Sequence, residues 1–389
     1  MGIDDMILNE KKLIEIRREL HKIPEIGMEE FKTQAKLLKI IKNFPQNFLE
    51  IKTWKTAILV KISGKNPGYT IGYRTDIDGL PVDEQTRLPF SSENPGRMHA
   101  CGHDIHMTVA LGILSFFADN QPMVDMTFIF QPAEENASGG KQLYESGALD
   151  NWMPDEIYAF HDNPQLPMGA IGCRQGTLFA GTCEIHAHFI GESGHAAFPQ
   201  YANDMVVAGA QFVNQVQTIV SRNVDPIQAG VVTLGHFEAG KTGNVIAGSA
   251  QIDGTIRALT QDMNVMIQKR VRKIAEGVAA TYECQLELDL HQGGYYPVEN
   301  NLQTTLAFIN YMKMAENVDF IETKPAMTGE DFGFLLSKIP GTMFWLGVES
   351  KYSLHSEFFA PKEGAIIKGV EAMTGFLQAR QNEVVQKNN

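Results

Sequence analysis

Apolar residues recur at helical spacing at Leu13, Ile16 and Leu20 and stop before Pro24, which predicts an opening helix. Strand-like runs follow at residues 56–62 and 69–73, the second leading into Arg74-Thr75-Asp76-Ile77-Asp78. Residues 107–117 read as a buried helix beginning directly after the polar stretch HACGHDIH at 99–106. Residues 126–130 and 157–160 are unbroken apolar runs, the pattern of strands covered on both faces in a parallel sheet. Pro132 ends the first of these, so Glu134 and Glu135 are expected in a loop at its carboxyl end. His161 stands at the end of the second.

From Thr182 the pattern becomes strict alternation, with Cys183, Ile185, Ala187 and Phe189 on one face and Glu184, His186 and His188 on the other. That is a sheet with one wet face. Two amphipathic helices follow, one striped by Val206, Ala210, Val213, Val216 and Val220, the other by Met263, Ile267, Val271, Ile274, Val278 and Tyr282. Strands are expected between them at 231–237 and 250–258. After Gly293-Gly294 and Pro297 the helical and buried-strand signals return, including residues 342–347 just before His355. The reading is an α/β domain with a smaller α+β domain inserted: 1–176 and 291–389 for the first, 177–290 for the insert, an antiparallel sheet with two helices.

Composition narrows the function. The 389 residues are 43% apolar, enough for two or three real cores, and the formal net charge is −13 with no Lys/Arg-rich run. Nucleic acid and anionic membranes are therefore poor partners, and a small-molecule substrate fits better. The start, MGIDDMILNEKKL, shows no apolar leader core, and nowhere do eighteen apolar residues run together, so a soluble cytoplasmic protein is expected. Four scattered cysteines, Cys101, Cys173, Cys183 and Cys284, make no disulfide framework.

Chemistry concentrates at HACGHDIH. Cys101 and His103 are donor types that divalent zinc prefers, and Glu134-Glu135, His161 and His355 supply further donors at or near predicted strand ends. Open α/β sheets place their sites there, which also draws in Asp76. Taken alone, Cys-x-His is as well read as a buried thiol beside solvated histidines, and Glu-Glu as a solvated loop pair. The convergence favours one metal site with more donors than a closed structural zinc uses. Hydrolysing an amide at neutral pH would use such a site, since a divalent ion can lower the pKa of bound water from 15.7 to about 7. One carboxylate must then stay free as general base. The residues alone leave open which of Glu134 and Glu135 it is.

The motifs RTDIDGLP, MHACGHDIHM, QPAEE, GHAAFP and GTIRAL, in that order, resemble the aminoacylase and carboxypeptidase-like branch of the two-metal exopeptidases. The resemblance spans nearly the whole chain and implies a zinc-exopeptidase-like catalytic domain carrying an inserted lid of a dimerisation type, hence a homodimer. It implies two divalent ions, zinc foremost, with nickel, cobalt or manganese as alternatives, held by Cys101, His103, Glu135, His161 and His355, with Cys101 bridging. It implies Glu134 as base, Asp76 beneath the site, His195 at the transition state, and Asn244 and Arg257 on substrate. Within the branch, TLFAGT, SRNVDPIQAGVVTLG and AMTGEDFG resemble the N-acetyldiaminopimelate deacetylases, which implies an N-acetyl amino acid as substrate and a place in lysine biosynthesis. A broader N-acyl-amino-acid hydrolase or carboxypeptidase is the alternative. The stretch IAGSA after Val245 departs from the family, which more often has a proline there. For Arg257 a salt bridge to Asp253 competes with substrate binding, and His195 also reads as a solvated loop residue. His21, His99, His106, His236 and His291 read as structural, with His106 near enough to support a metal ligand.

Overall fold

The computed structural model describes residues 8–388. The opening MGIDDMI, part of the stretch expected to hold no apolar leader core, lies outside them. The chain divides into two compact units, Met1–Leu178 with Glu299–Lys324 and Phe334–Asn389, and Phe179–Val298 with Pro325–Gly333. Among the described residues no helix is long and apolar enough to cross a membrane.

The first unit is built on an eight-stranded mixed sheet in the spatial order Leu49–Trp54, Ala57–Ile62, Asp125–Gln131, Thr70–Asp76, Glu156–Asn163, Gly341–Gly347, Ile171–Cys173 and Phe320–Glu322. The strands Asp125–Gln131, Thr70–Asp76, Glu156–Asn163 and Gly341–Gly347 run parallel. Asp125–Gln131 and Gly341–Gly347 are buried at every position, which is why their sequence is a continuous apolar run rather than an alternation. Helices Glu10–His21, His103–Asp119 and Gly364–Asn388 pack on one another beside the sheet. The buried Arg17 of the first lies 2.7 Å from the buried Asp104 of the second and 3.3 Å from Glu363, so one guanidinium joins all three segments.

Two local expectations fail. The buried helix starts at His103, inside the polar cluster, because Gly102 (φ 87°) turns the chain and its carbonyl accepts the N–H groups of Ile105 and His106. Glu134 and Glu135 lie in a single helical turn, Glu134–Ala137, rather than a loop, flanked by left-handed Ala133 (φ 54°) and Ser138 (φ 50°). Left-handed backbone costs a residue with a Cβ about 1–2 kcal/mol.

The second unit is a four-stranded antiparallel sheet, ordered Gly230–Ala239, Ser249–Ala258, Gly181–Ile190 and Gln285–His291. Helices Met205–Arg222 and Gln261–Thr281 cover one face, and Cys183, Ile185, Ala187 and Phe189 are buried beneath them as the alternation predicts. The valine stripe of the first helix is its buried face only in part: Val216 is buried and Val213 packs against the core, but Val206 and Val220 are exposed. Met205, Ala208, Gly209, Phe212 and Ile219 are buried with Val216, while Val207 is also exposed. This helix is apolar on more than one side, and packing selects the side that sets Phe212 on Phe189 (centroids 5.4 Å apart) and Gly209 under Phe237. The ends of the unit are tied together, Thr182 N–H donating to Tyr295 O at 2.9 Å.

Candidate metal centre

The parallel strands deliver their functional groups at one edge, as their carboxyl ends dictate. Asp76 closes one strand, the Glu134–Ala137 turn follows another, His161 lies near the end of a third, and His355 follows the fourth. Cys101 and His103 enter from the amino end of the His103–Asp119 helix. Cys101 Sγ lies 3.3 Å from His161 Nε2 and 3.3 Å from His355 Nε2. Glu135 Oε1 is 3.5 Å from His355 Nε2 and 3.9 Å from His103 Nε2. The sulfur thus belongs to two groups whose donor atoms converge within metal-binding range, Cys101-His103-His161 and Cys101-Glu135-His355. Glu134 forms a further such group with His103 and Glu135.

The polar atoms are set for a ligand that the protein itself does not supply. His103 Nε2 and Glu135 Oε1 are buried without a hydrogen bond, a costly state for a polar atom, and a cation between them would satisfy both. Sulfur, nitrogen and oxygen donors together suit zinc or a neighbouring divalent ion. Burial, with Glu135 and Glu134 adding to it, pushes the Cys101 thiol well above its ordinary value, so binding an ion there must displace its proton.

Surrounding groups fix ring orientation. His103 Nδ1 points at Asp78, 3.0 Å from its carbonyl oxygen and 3.2 Å from Oδ1, which leaves Nε2 for the centre. Burial would lower His103, but Asp76 foremost, with Asp78 and Glu135, lifts it to about 10. Burial and the neighbouring His106 lower His161 to about 3. Asp76 Oδ1 accepts from His106 Nδ1 at 2.7 Å and Oδ2 from Arg74 at 2.8 Å. Burial would raise its pKa, yet His103, His106 and Arg74 outweigh that and hold it well below the carboxylate range. His106 also accepts the N–H of Asp162, the supporting position its spacing suggested. Gly102 is obligatory, since a Cβ there would stand 2.1 Å from Asp162 Oδ2.

The candidates on the second unit do not form one group. His195 is exposed, pairs through backbone with Val245, and has Asn244 beside it, where Asn244 O accepts the Ala196 N–H. Arg257 sits opposite Thr182, at the far end of Ser249–Ala258 from this pair. Eight residues of strand at about 3.3 Å each put the two positions roughly 25 Å apart. Arg257 does not pair with Asp253. It donates to Thr255 Oγ1 and to Ile256 O, while Asp253 accepts from His186 and His236.

Of two further residues near the centre, Asp78 is legible in the sequence as the second acidic side chain at the end of the Thr70–Asp76 strand, without a role. Glu30, whose carboxylate accepts the N–H of Ala133 at 2.8 Å, carries no sequence signal.

The profile of Peptidase family M20/M25/M40 matches residues 72–379. The N-acetyldiaminopimelate deacetylase of Ligilactobacillus salivarius is 73% identical over 379 residues, 97% of this chain and 100% of that protein. The enzyme of the same name from Lactiplantibacillus plantarum is 69% identical over 379 residues, covering 96% and 99%. Among solved structures, the Bacillus subtilis YXEP protein, described as a dinuclear metal binding peptidase from the M20 family, superposes with a TM-score of 0.82 at 28% identity, covering 96% of this chain and 98% of that one. The converging donors, the sheet that presents them and the span of these matches lead to one conclusion: the chain belongs to peptidase family M20/M25/M40.

Proposed function

We propose that this chain is a metal-dependent deacetylase that hydrolyses N-acetyl-LL-2,6-diaminopimelate to LL-2,6-diaminopimelate and acetate, in the cytoplasm. The observation that carries the reading is the pair of donor groups sharing Cys101 Sγ beside a second carboxylate, Glu134. Relatives at 69–73% identity over nearly the whole chain bear that activity in their names.

Cys101, His103 and His161 would hold one ion, and Cys101, Glu135 and His355 the other. When bound, such ions lower the pKa of water and polarise the acetyl carbonyl. Glu134 takes the proton of the attacking water and passes it to the leaving amine. Asp78 keeps the His103 proton on Nδ1, and Asp76 fixes the His106 ring behind the centre. His195 donates to the oxyanion, Asn244 orients the substrate beside it, and Arg257 pairs with a substrate carboxylate.

The distance from His195 and Asn244 to Arg257 exceeds the length of an acetylated amino acid, so the two sets serve different substrate molecules. A homodimer meets this requirement, one set acting in its own chain and the other in the partner. The exposed Val206, Val207, Val220 and Phe237 of the second unit support such pairing. The deciding experiment is kcat/KM for N-acetyldiaminopimelate, N-acetylmethionine and N-acetylleucine at one zinc loading. A site bonding the distal amino-acid head group should favour the first by up to about 10⁴. Equal or faster turnover of the apolar substrates would leave a general aminoacylase.

A further inference from the structure

The turn that carries Glu134 and Glu135 is not held by its own helix. It begins at left-handed Ala133, and one helical turn has too few internal hydrogen bonds to fix its direction. Other elements supply the missing constraints. Ala133 N–H donates to Glu30 Oε1 at 2.8 Å, and Glu135 N–H donates to Asp78 Oδ2 at 3.0 Å. Both carboxylates are fully buried. Glu30 is aimed by Thr56, whose hydroxyl donates to Oε2 at 2.6 Å. Gly27 lies against the same turn: a Cβ there would stand 2.3 Å from Asn136 Oδ1 and 2.7 Å from Ala133 Cα. The Gly27–Glu30 segment is in turn joined to the Asp78 segment, Gly79 N–H donating to Glu25 O at 2.7 Å.

We propose that Glu30 and Asp78 are positioning residues, two buried carboxylates that clamp the backbone N–H groups of Ala133 and Glu135 and thereby aim Glu134 and Glu135, with Gly27 leaving the room this requires. The inference rests on the reading of Glu134 as base and Glu135 as ligand. A clamp of this kind acts on geometry. A misplacement of about 1 Å at a reacting group can cost on the order of 10² in rate, and loss of a residue orienting a metal ligand about 10- to 100-fold in affinity or activity.

The test compares Glu30→Ala, Glu30→Gln and Asp78→Asn in the full chain. Three quantities are read: hydrogen exchange of the 131–138 peptide, zinc affinity of the metal-stripped protein by chelator competition, and kcat and KM on N-acetyldiaminopimelate. Glu30→Ala should speed exchange in the turn and lower kcat by about 10- to 100-fold, with KM changed by less than roughly threefold. Glu30→Gln keeps an acceptor oxygen for the Ala133 N–H and should restore both exchange and kcat. Native exchange or native kcat in Glu30→Ala overturns the proposal, as does a Glu30→Gln protein that regains protection without regaining kcat. Should Glu30→Ala not fold, Asp78→Asn decides. An asparagine has one acceptor oxygen where the carboxylate serves both Glu135 and His103, so zinc affinity should fall about 10- to 100-fold, and native affinity would overturn the clamp. Failure of the wild-type protein to deacetylate the substrate would sink the functional reading alone, since exchange and zinc affinity test the clamp without turnover.

Discussion

Histidine–carboxylate pairs of nearly equal length occur in both units. His106 Nδ1 lies 2.7 Å from Asp76 Oδ1 in the first, and His236 Nδ1 lies 2.8 Å from Asp253 Oδ2 in the second. The second unit even sets His236, Asp253, His186 and Asp289 opposite one another across its four strands. The difference is the solvent. In the first unit the pairs are buried, and Asp76 foremost lifts His103 to about 10 although burial opposes it, whereas His186 and His236 are each about half exposed, where water weakens a charge pair. Contact distance alone therefore does not identify a working histidine. Convergence of several donor atoms does, and it holds even for His355, which is 55% exposed yet lies 3.3 Å from Cys101 Sγ and 3.5 Å from Glu135 Oε1.

The sharpest way to break the comparison is at the buried centre. Glu134→Gln should lower kcat by about 10² to 10⁴ with metal content intact, and Glu135→Gln should instead lose metal. Metal analysis beside steady-state kinetics checks both, and the opposite assignment of losses would reverse the two roles.

Next in size is the buried ion pair. Asp104→Ala leaves Arg17 buried without its nearest carboxylate and should cost about 3–5 kcal/mol in denaturant unfolding. The same network sets acid sensitivity. Burial would raise Glu84, but hydrogen bonds from His21 and Thr86 hold it at about 2, and Arg17 and His21 likewise hold Asp104 well below its ordinary value. Both folded values lie below the unfolded ones of about 4, so their stabilisation is complete above that pH and is lost as pH falls toward 2. Unfolding midpoints across this window should decline in the wild type and decline less in Asp104→Ala.

An exposed residue outside the converging donors supplies the exception that sharpens the rule. His195→Ala should lower kcat by about 10² to 10³ with metal retained. Mixing His195→Ala chains with Glu134→Gln chains under subunit exchange should recover activity, because one shared site is then intact. No recovery would remove the partner from the reading.

The smallest effect belongs to the wet face. Asp253→Ala should change stability by less than about 1 kcal/mol and leave kcat/KM unaltered, as expected of a solvated pair. A large loss there would erase the contrast between the two arrays.

Legibility from sequence followed the same division. The buried strands, the half-wet sheet and the donors at strand ends were readable because periodicity and residue type report burial and chemistry directly. Packing partners were not. The helix Met205–Arg222 has apolar residues on several sides, and only the neighbours Phe189 and Phe237 select which is buried. The start of the buried helix at His103 depends on Gly102, whose role is decided by an Asp162 sixty residues later. Glu30 matters through an N–H it accepts from a residue about a hundred positions away, and nothing in its local pattern marks it.

The hydrogen bond joining Thr182 to Tyr295 bears on the order in which the molecule is made. Strands Glu156–Asn163 and Gly341–Gly347 lie side by side, yet the second unit is threaded between them in the chain. The entropy of closing a loop grows with its length, and long-range pairings are slow to form. A second unit that folds first, with its ends already gathered, removes most of that length. His355 leaves the ribosome later still, so the group Cys101-Glu135-His355 can be assembled only after the whole second unit has been synthesised.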